Sequence, residues 1–231
     1  MTMVAFKKTV SVAALTGLLA GLLLTAIQQI QVVPLIHKAE AYGQAAENAN
    51  HAGGESASIE HEHGTWQPEN GWERNLFTAT ASIVIAVGFA LLLGTVVALR
   101  GANPDWRSGL LWGLAGYAVF FVAPSLGLPS EVPGAQAAAL TLRQAWWVAT
   151  SACTATGLAF IVFFRQPAVK ILGVVLLVAP HLIGAPQPEI HDGAAPAELA
   201  QAFVIATFSA NAVFWLALGT LFGFFHRKLA D

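Results

Sequence analysis

Residues 9–33 read TVSVAALTGLLAGLLLTAIQQIQVV, without one charged side chain. At about 1.5 Å of rise per residue, a helix of this length crosses the roughly 30 Å of hydrocarbon in a bilayer. The same reading applies at 76–99, 109–126, 146–164 and 202–225. A shorter block, 168–183, lies near the lower limit for a span and ends in Pro180-His181. Across all 231 residues, 56% are hydrophobic and 10% charged, against about 25% charged in soluble domains. No single soluble core could bury these blocks. The expected fold is all-α, a polytopic transmembrane helix bundle of six spans in one membrane domain, 1–231.

Between the spans the segments are short except for 37–74, which reads as an outer loop rich in His and Glu. Lys7-Lys8, the apolar run and Ala39-Glu40-Ala41 also fit the outline of a signal peptide. A signal h-region is only about 7–15 residues, so an uncleaved first helix is expected. Cleavage would leave five spans without inverting the others.

Sidedness follows from the basic residues. With a cytoplasmic N-terminus, that side holds Lys7, Lys8, Arg100, Arg107, Arg165, Lys170, Arg227 and Lys228, and the other holds Lys38, Arg74 and Arg143. Both termini are then cytoplasmic. The acids run the other way: only Asp105 and Asp231 fall inside. The chain has no basic patch for nucleic acid. Its one cysteine, Cys153, excludes an internal disulfide and reads as a small buried residue.

The even-numbered spans begin alike: RNLFTAT at 74–80, QAWWVAT at 144–150 and QAFVIAT at 201–207. Two loops also correspond, PSLGLPSE at 124–131 and PHLIGAPQPE at 180–189. Together they point to repeated helical hairpins of one orientation. Gly17/Gly21, Gly109/Gly113 and Gly219/Gly223 each place two glycines on one helix face, where backbones can approach closely. Trp106, Trp112, Trp146 and Trp147 sit near span ends, as interfacial anchors do.

His37, His51, His61, His63, His181 and His191 lie on the non-cytoplasmic side, whereas His226 adjoins Arg227 and Lys228 at a helix C-terminus. In Glu60-His61-Glu62-His63, imidazole and carboxylate together suit borderline divalent ions such as Co²⁺, Ni²⁺ and Zn²⁺. In an extended segment, His61 and His63 point the same way and can share one ion. The plain alternative is a solvated acidic loop. A second cluster joins His181 to Glu189, His191 and Asp192, where Pro180, Gly184, Pro186 and Pro188 prevent a continuous helix. Such irregular backbone can offer carbonyls to a cation, or form a rigid gate with no ligand role.

Between the span ends, inside the bilayer, there is no ionisable residue. The polar groups are Gln28, Gln29 and Gln31, then Thr150, Ser151, Thr154 and Thr156, then Ser209 and Asn211. These either line a path for a partly hydrated cation or hydrogen-bond neighbouring helices. HExxH, GxSxG, Walker and Ser-x-x-Lys motifs are missing, so the chain does not read as an enzyme. Any driving energy comes from a gradient or a partner.

Four stretches, WQPENGWER at 66–74, LWGLAGYAVFFVAPSLGLPSEVPG at 111–134, RQAWW at 143–147 and PHLIGAPQP at 180–188, resemble the CbtA family, the predicted cobalt transporter subunit of bacteria. The resemblance implies a cobalt uptake component with about five spans. It also implies a small single-span companion with a histidine-rich end, CbtB. On this reading Co²⁺ (or Ni²⁺ or Zn²⁺) is cargo, with no permanently bound cofactor. His61, Glu62 and His63 collect the ion and pass it to His181, Glu189 and His191. It then crosses between spans four and six past Thr150, Ser209 and Asn211. The rival is a non-transporting membrane scaffold or metal sensor that presents its outer loop to a partner.

Overall fold

The computed structural model describes residues 3–52, 71–188 and 193–229, which are helical apart from connections and one isolated β-bridge, Ala135 to Gly193. In chain order come α1 (Met3–Gln31), α2 (Val33–Ala52), α3 (Trp72–Leu99) and α4 (Trp106–Tyr117). A π-helical turn (Ala118–Val122) and α5 (Ala123–Ser125) continue α4 as one rod. The remaining helices are α6 (Leu140–Phe163), α7 (Pro167–Ile183) and α8 (Ala197–Lys228). Five helices are long and apolar enough to cross a membrane: α1, α3, the α4–α5 rod, α6 and α8. At 17 residues, α7 is the shorter apolar one. The chain is a multi-pass helical membrane bundle.

The breaks have local causes. Pro34 has no N–H for the carbonyl of Ile30, so α1 ends at Gln31 and a new helix starts with the proline in its first turn, where it is tolerated. The first part of the stretch expected as a loop, 37–74, is therefore helix. Residues 35–52 are rich in Ala, Glu, Gln and Lys, strong helix formers with no further proline. Asp105 caps α4 in a reciprocal box: Ser108 N donates to Asp105 Oδ1 and Asp105 N to Ser108 Oγ, both at 2.9 Å. Pro124 cannot donate to Phe120, and the ladder shifts register just before it, Ala123 N bonding Ala118 O.

Neighbouring helices run antiparallel, held by the expected glycines. In α1, Gly17 and Gly21 lie against Val87 and Ile83 of α3. Gly109 and Gly113 of α4 meet Gly219 and Gly223 of α8 face to face, and Gly157 of α6 meets Gly173 of α7. Helices α1, α3, α4 and α8 form the core, with Phe214, Leu218 and Phe222 of α8 buried at its centre. The α6–α7 hairpin joins that core mainly through the π turn and α5. Helices α3, α6 and α8 run the same way, as their matching first turns suggest. Yet α4 pairs with α8 and α6 with α7, so of the hairpins aligned in sequence only the first, α1 with α3, packs as a unit.

One end of the bundle gathers the N-termini of α1, α4 and α7 and the C-termini of α3, α6 and α8. There Arg100 lies 3.4 Å over the Phe163 ring, and His226 Nδ1 is 3.1 Å from Asn103 Oδ1. This is the end that carries the eight basic residues. Trp106 is half exposed, as an anchor would be, but Trp146 is buried, its ring edge against His181 and its indole beside Gly127.

Candidate functional site

A half-open cavity of about 430 Å³ lies between α1, α3, α8 and the π turn, with exposed Ala81 and Ile85 at its rim. One wall is aromatic: Phe120 stacks on Trp215 at 5.6 Å, and Phe89 packs against both. The register shift at the π turn carries Phe120 and Phe121 into this wall. π-Bulges recur at functional sites because they re-aim side chains that a regular helix would bury elsewhere.

The polar side chains of the cavity are Gln28, Thr78, Ser82 and Asn211. Asn211 Nδ2 donates to Thr207 O at 2.9 Å, which leaves its carbonyl oxygen as the acceptor it can offer. Thr78 Oγ1 donates to Arg74 O at 2.8 Å. Gln28 Oε1 is buried with no hydrogen-bond partner. A buried carbonyl oxygen without a donor is costly, about 1–3 kcal/mol, and calls for a ligand or ordered water. The site offers uncharged oxygens beside an apolar wall.

Toward the end opposite the basic residues, polar ties link the helices. Ser209 Oγ donates toward Gln31 Oε1 at 3.2 Å and back to Ile205 O at 3.0 Å. Gln29 Nε2 donates to Asn75 Oδ1 at 2.9 Å. Arg74 Nη2 donates to Glu40 Oε1 at 2.8 Å, and His37 Nδ1 is 3.2 Å from Glu40 Oε2. The hydrogen bond from Arg74 is the largest cause holding the Glu40 carboxyl below its ordinary range. On the hairpin side Arg143 Nη2 bonds Glu131 Oε2 at 3.1 Å.

Of the residues singled out in the sequence, Asn211 lines the cavity and Ser209 sits two residues from it. Thr150 does not join them. It is fully buried on α6, which packs against α7 and the π turn, whereas α8 packs against α4 and α1. His181 lies in the last turn of α7, at the same end as the ties described above, against Trp146. His61, Glu62, His63, Glu189 and His191 lie outside the described residues. Among the described residues, no group of three or more His, Cys, Asp or Glu side chains could hold a metal ion. Thr78 and Ser82 escaped the sequence reading, although their four-residue spacing puts both on one face of α3.

No curated protein and no solved structure matches the chain. A family model described as "Probable cobalt transporter subunit (CbtA)" matches residues 6–227, nearly its whole length. That match, over a multi-pass helical bundle, shows that the chain belongs to the CbtA family of probable cobalt transporter subunits.

Proposed function

We propose that this chain is the membrane subunit of a cobalt uptake transporter, oriented with the basic end in the cytoplasm and both termini there, in a bacterial inner membrane. Co²⁺ is its cargo rather than a resident cofactor, and no catalytic step is involved. The observation that carries the reading is the half-open cavity with its unpartnered Gln28 oxygen, lined by no ionisable group. At about 30 Å³ per water, its 430 Å³ has room for an ion with a full first shell of water. Uncharged oxygens suit an ion in transit, because strong nitrogen or thiolate ligands would retain it.

His61, Glu62 and His63 raise the local ion concentration on the non-cytoplasmic side. His181, Glu189 and His191 receive the ion at the mouth, where imidazole and carboxylate suit Co²⁺ and accept Ni²⁺ or Zn²⁺ as well. Asn211 and Gln28 then take the hydrated ion in the cavity, with Ser209 above. Thr150, on the hairpin, stands off this path. The partner is a small single-span, histidine-rich subunit of the CbtB type.

Uptake of radioactive cobalt into cells expressing the chain, with and without that partner, tests the reading. Accumulation above the empty-vector level is expected with the partner. No accumulation under either condition would favour the scaffold or sensor and overturn transport. His181→Ala is expected to depress uptake more than His61→Ala with His63→Ala together. Equal or reversed losses would overturn this division of roles.

A further inference from the structure

In the spans, a serine or threonine hydroxyl ordinarily bonds the carbonyl a turn back on its own helix. Thr25, Thr78, Thr80, Thr95, Thr207 and Ser209 all do so here. Thr150, Ser151 and Thr154 of α6 do not. They are 0%, 5% and 3% exposed, and none of their hydroxyls has a hydrogen-bond partner. Thr16 of α1 is also unpartnered, but it stands alone. Thr150 and Thr154 are one turn apart, on the face of α6 that also carries Gly157.

Helix α7 covers that face. Its antiparallel contacts, Gly157 with Gly173 and Trp146 with His181, bracket the hydroxyls and bring them level with residues 176–180. Pro180 is buried there and has no N–H, so the carbonyl of Leu176 lacks its α-helical donor. Unpartnered hydroxyl oxygens of α6 thus lie level with the stretch of α7 that holds a carbonyl freed by Pro180. Each oxygen is costly to leave bare, and together they form a set with no charge, nitrogen or sulfur.

We propose that the α6–α7 interface binds a monovalent alkali cation, sodium, through the Thr150, Ser151 and Thr154 hydroxyls and the Leu176 carbonyl. A transition-metal dication calls for imidazole, thiolate or carboxylate; the one imidazole near, His181, stands at the end of the stretch against Trp146, whose indole N–H is also unpartnered. A proton finds no group here that would hold it near neutral pH. Carbonyls freed where a membrane helix is interrupted, joined by neutral oxygens, are a ligand set for Na⁺. The close Gly157–Gly173 approach favours the smaller alkali ion over potassium. On the transport reading, this site couples a sodium gradient to cobalt movement; the binding itself does not depend on that reading.

The test is equilibrium binding of radioactive sodium to the purified full chain in detergent, with choline holding the ionic strength constant. Saturable binding is expected, with potassium competing at least about tenfold more weakly than sodium. Thr150→Val with Thr154→Val is expected to weaken binding at least about tenfold. Thr150→Ser with Thr154→Ser, which keeps both hydroxyls, and Thr95→Val on α3 are expected to retain it. No saturable binding by the unmodified chain would mean that water alone fills the site, and would overturn the proposal. So would undiminished binding by the valine pair, or equal competition by potassium. Cobalt is absent from the assay, so this result and the uptake result stand or fall separately.

Discussion

On the proposed function, Gln28 is a polar side chain kept in the cavity at some expense of stability. Gln28 Oε1 is buried without a donor, so replacing it with an apolar side chain removes an unmet oxygen. Gln28→Leu is expected to leave the melting temperature unchanged or raise it, while lowering cobalt uptake at least about fivefold. Asn211→Leu should lower uptake similarly. An uptake-neutral Gln28→Leu would remove the cavity from the path. At Glu40 the argument concerns pH. Its folded-state pKa is lowered, chiefly by the Arg74 hydrogen bond, so the link stabilises the folded state above the ordinary glutamate value, about 4.3. That contribution is lost as pH falls through the lowered value. A spin label at Ala46→Cys, in a Cys153→Ala background, is expected to stay ordered through neutral and mildly acidic pH and to loosen below about pH 4. Glu40→Gln should loosen it already at neutral pH.

Among the helices, close approach is what the glycines provide. A Cβ on Gly219 would fall 2.6 Å from the Gly113 backbone, whereas one on Gly88 would meet nothing within 4 Å. Gly219→Val is therefore expected to cost about 1–3 kcal/mol or more through overpacking, seen as a lower melting temperature in detergent. Gly88→Ala should be neutral or stabilise by about 0.5–1 kcal/mol through helix propensity. Equal effects of the two would show that the α4–α8 contact does not hold the bundle. The span ends were legible in the sequence to within a few residues, because charge and proline mark them. Helix α2 was not, since a helix outside the bilayer carries no hydropathy signal. The π turn was also hidden: Pro124 announces a disturbance, but its form depends on what packs beside Phe120.

For the whole molecule, the two ends differ in charge, and orientation is the prediction that belongs here. In a Cys153→Ala background, an impermeant maleimide applied to intact cells is expected to label Gln136→Cys and to spare Lys170→Cys. The reverse pattern would invert the bundle. The architecture is a four-helix core, α1, α3, α4 and α8, with the α6–α7 hairpin attached mainly through the π turn and α5. The cavity belongs to the core and the unpartnered hydroxyls to the hairpin. Thr150 and Asn211, placed on one path in the sequence, therefore belong to different parts of the molecule.

The sequence by itself determined that the chain is a multi-pass helical membrane bundle, where its long apolar blocks lie, and which segments carry the basic residues. Hydropathy, charge and proline act segment by segment, so these features can be read along the chain. Only the tertiary structure decided that α4 pairs with α8 and α6 with α7, and that Gln28, Thr78, Ser82 and Asn211 line one cavity. Lipid supplies no hydrophobic force to choose partners among apolar helices. Pairing rests on which small-residue faces fit together, and the sites form wherever that fit leaves oxygens facing one another.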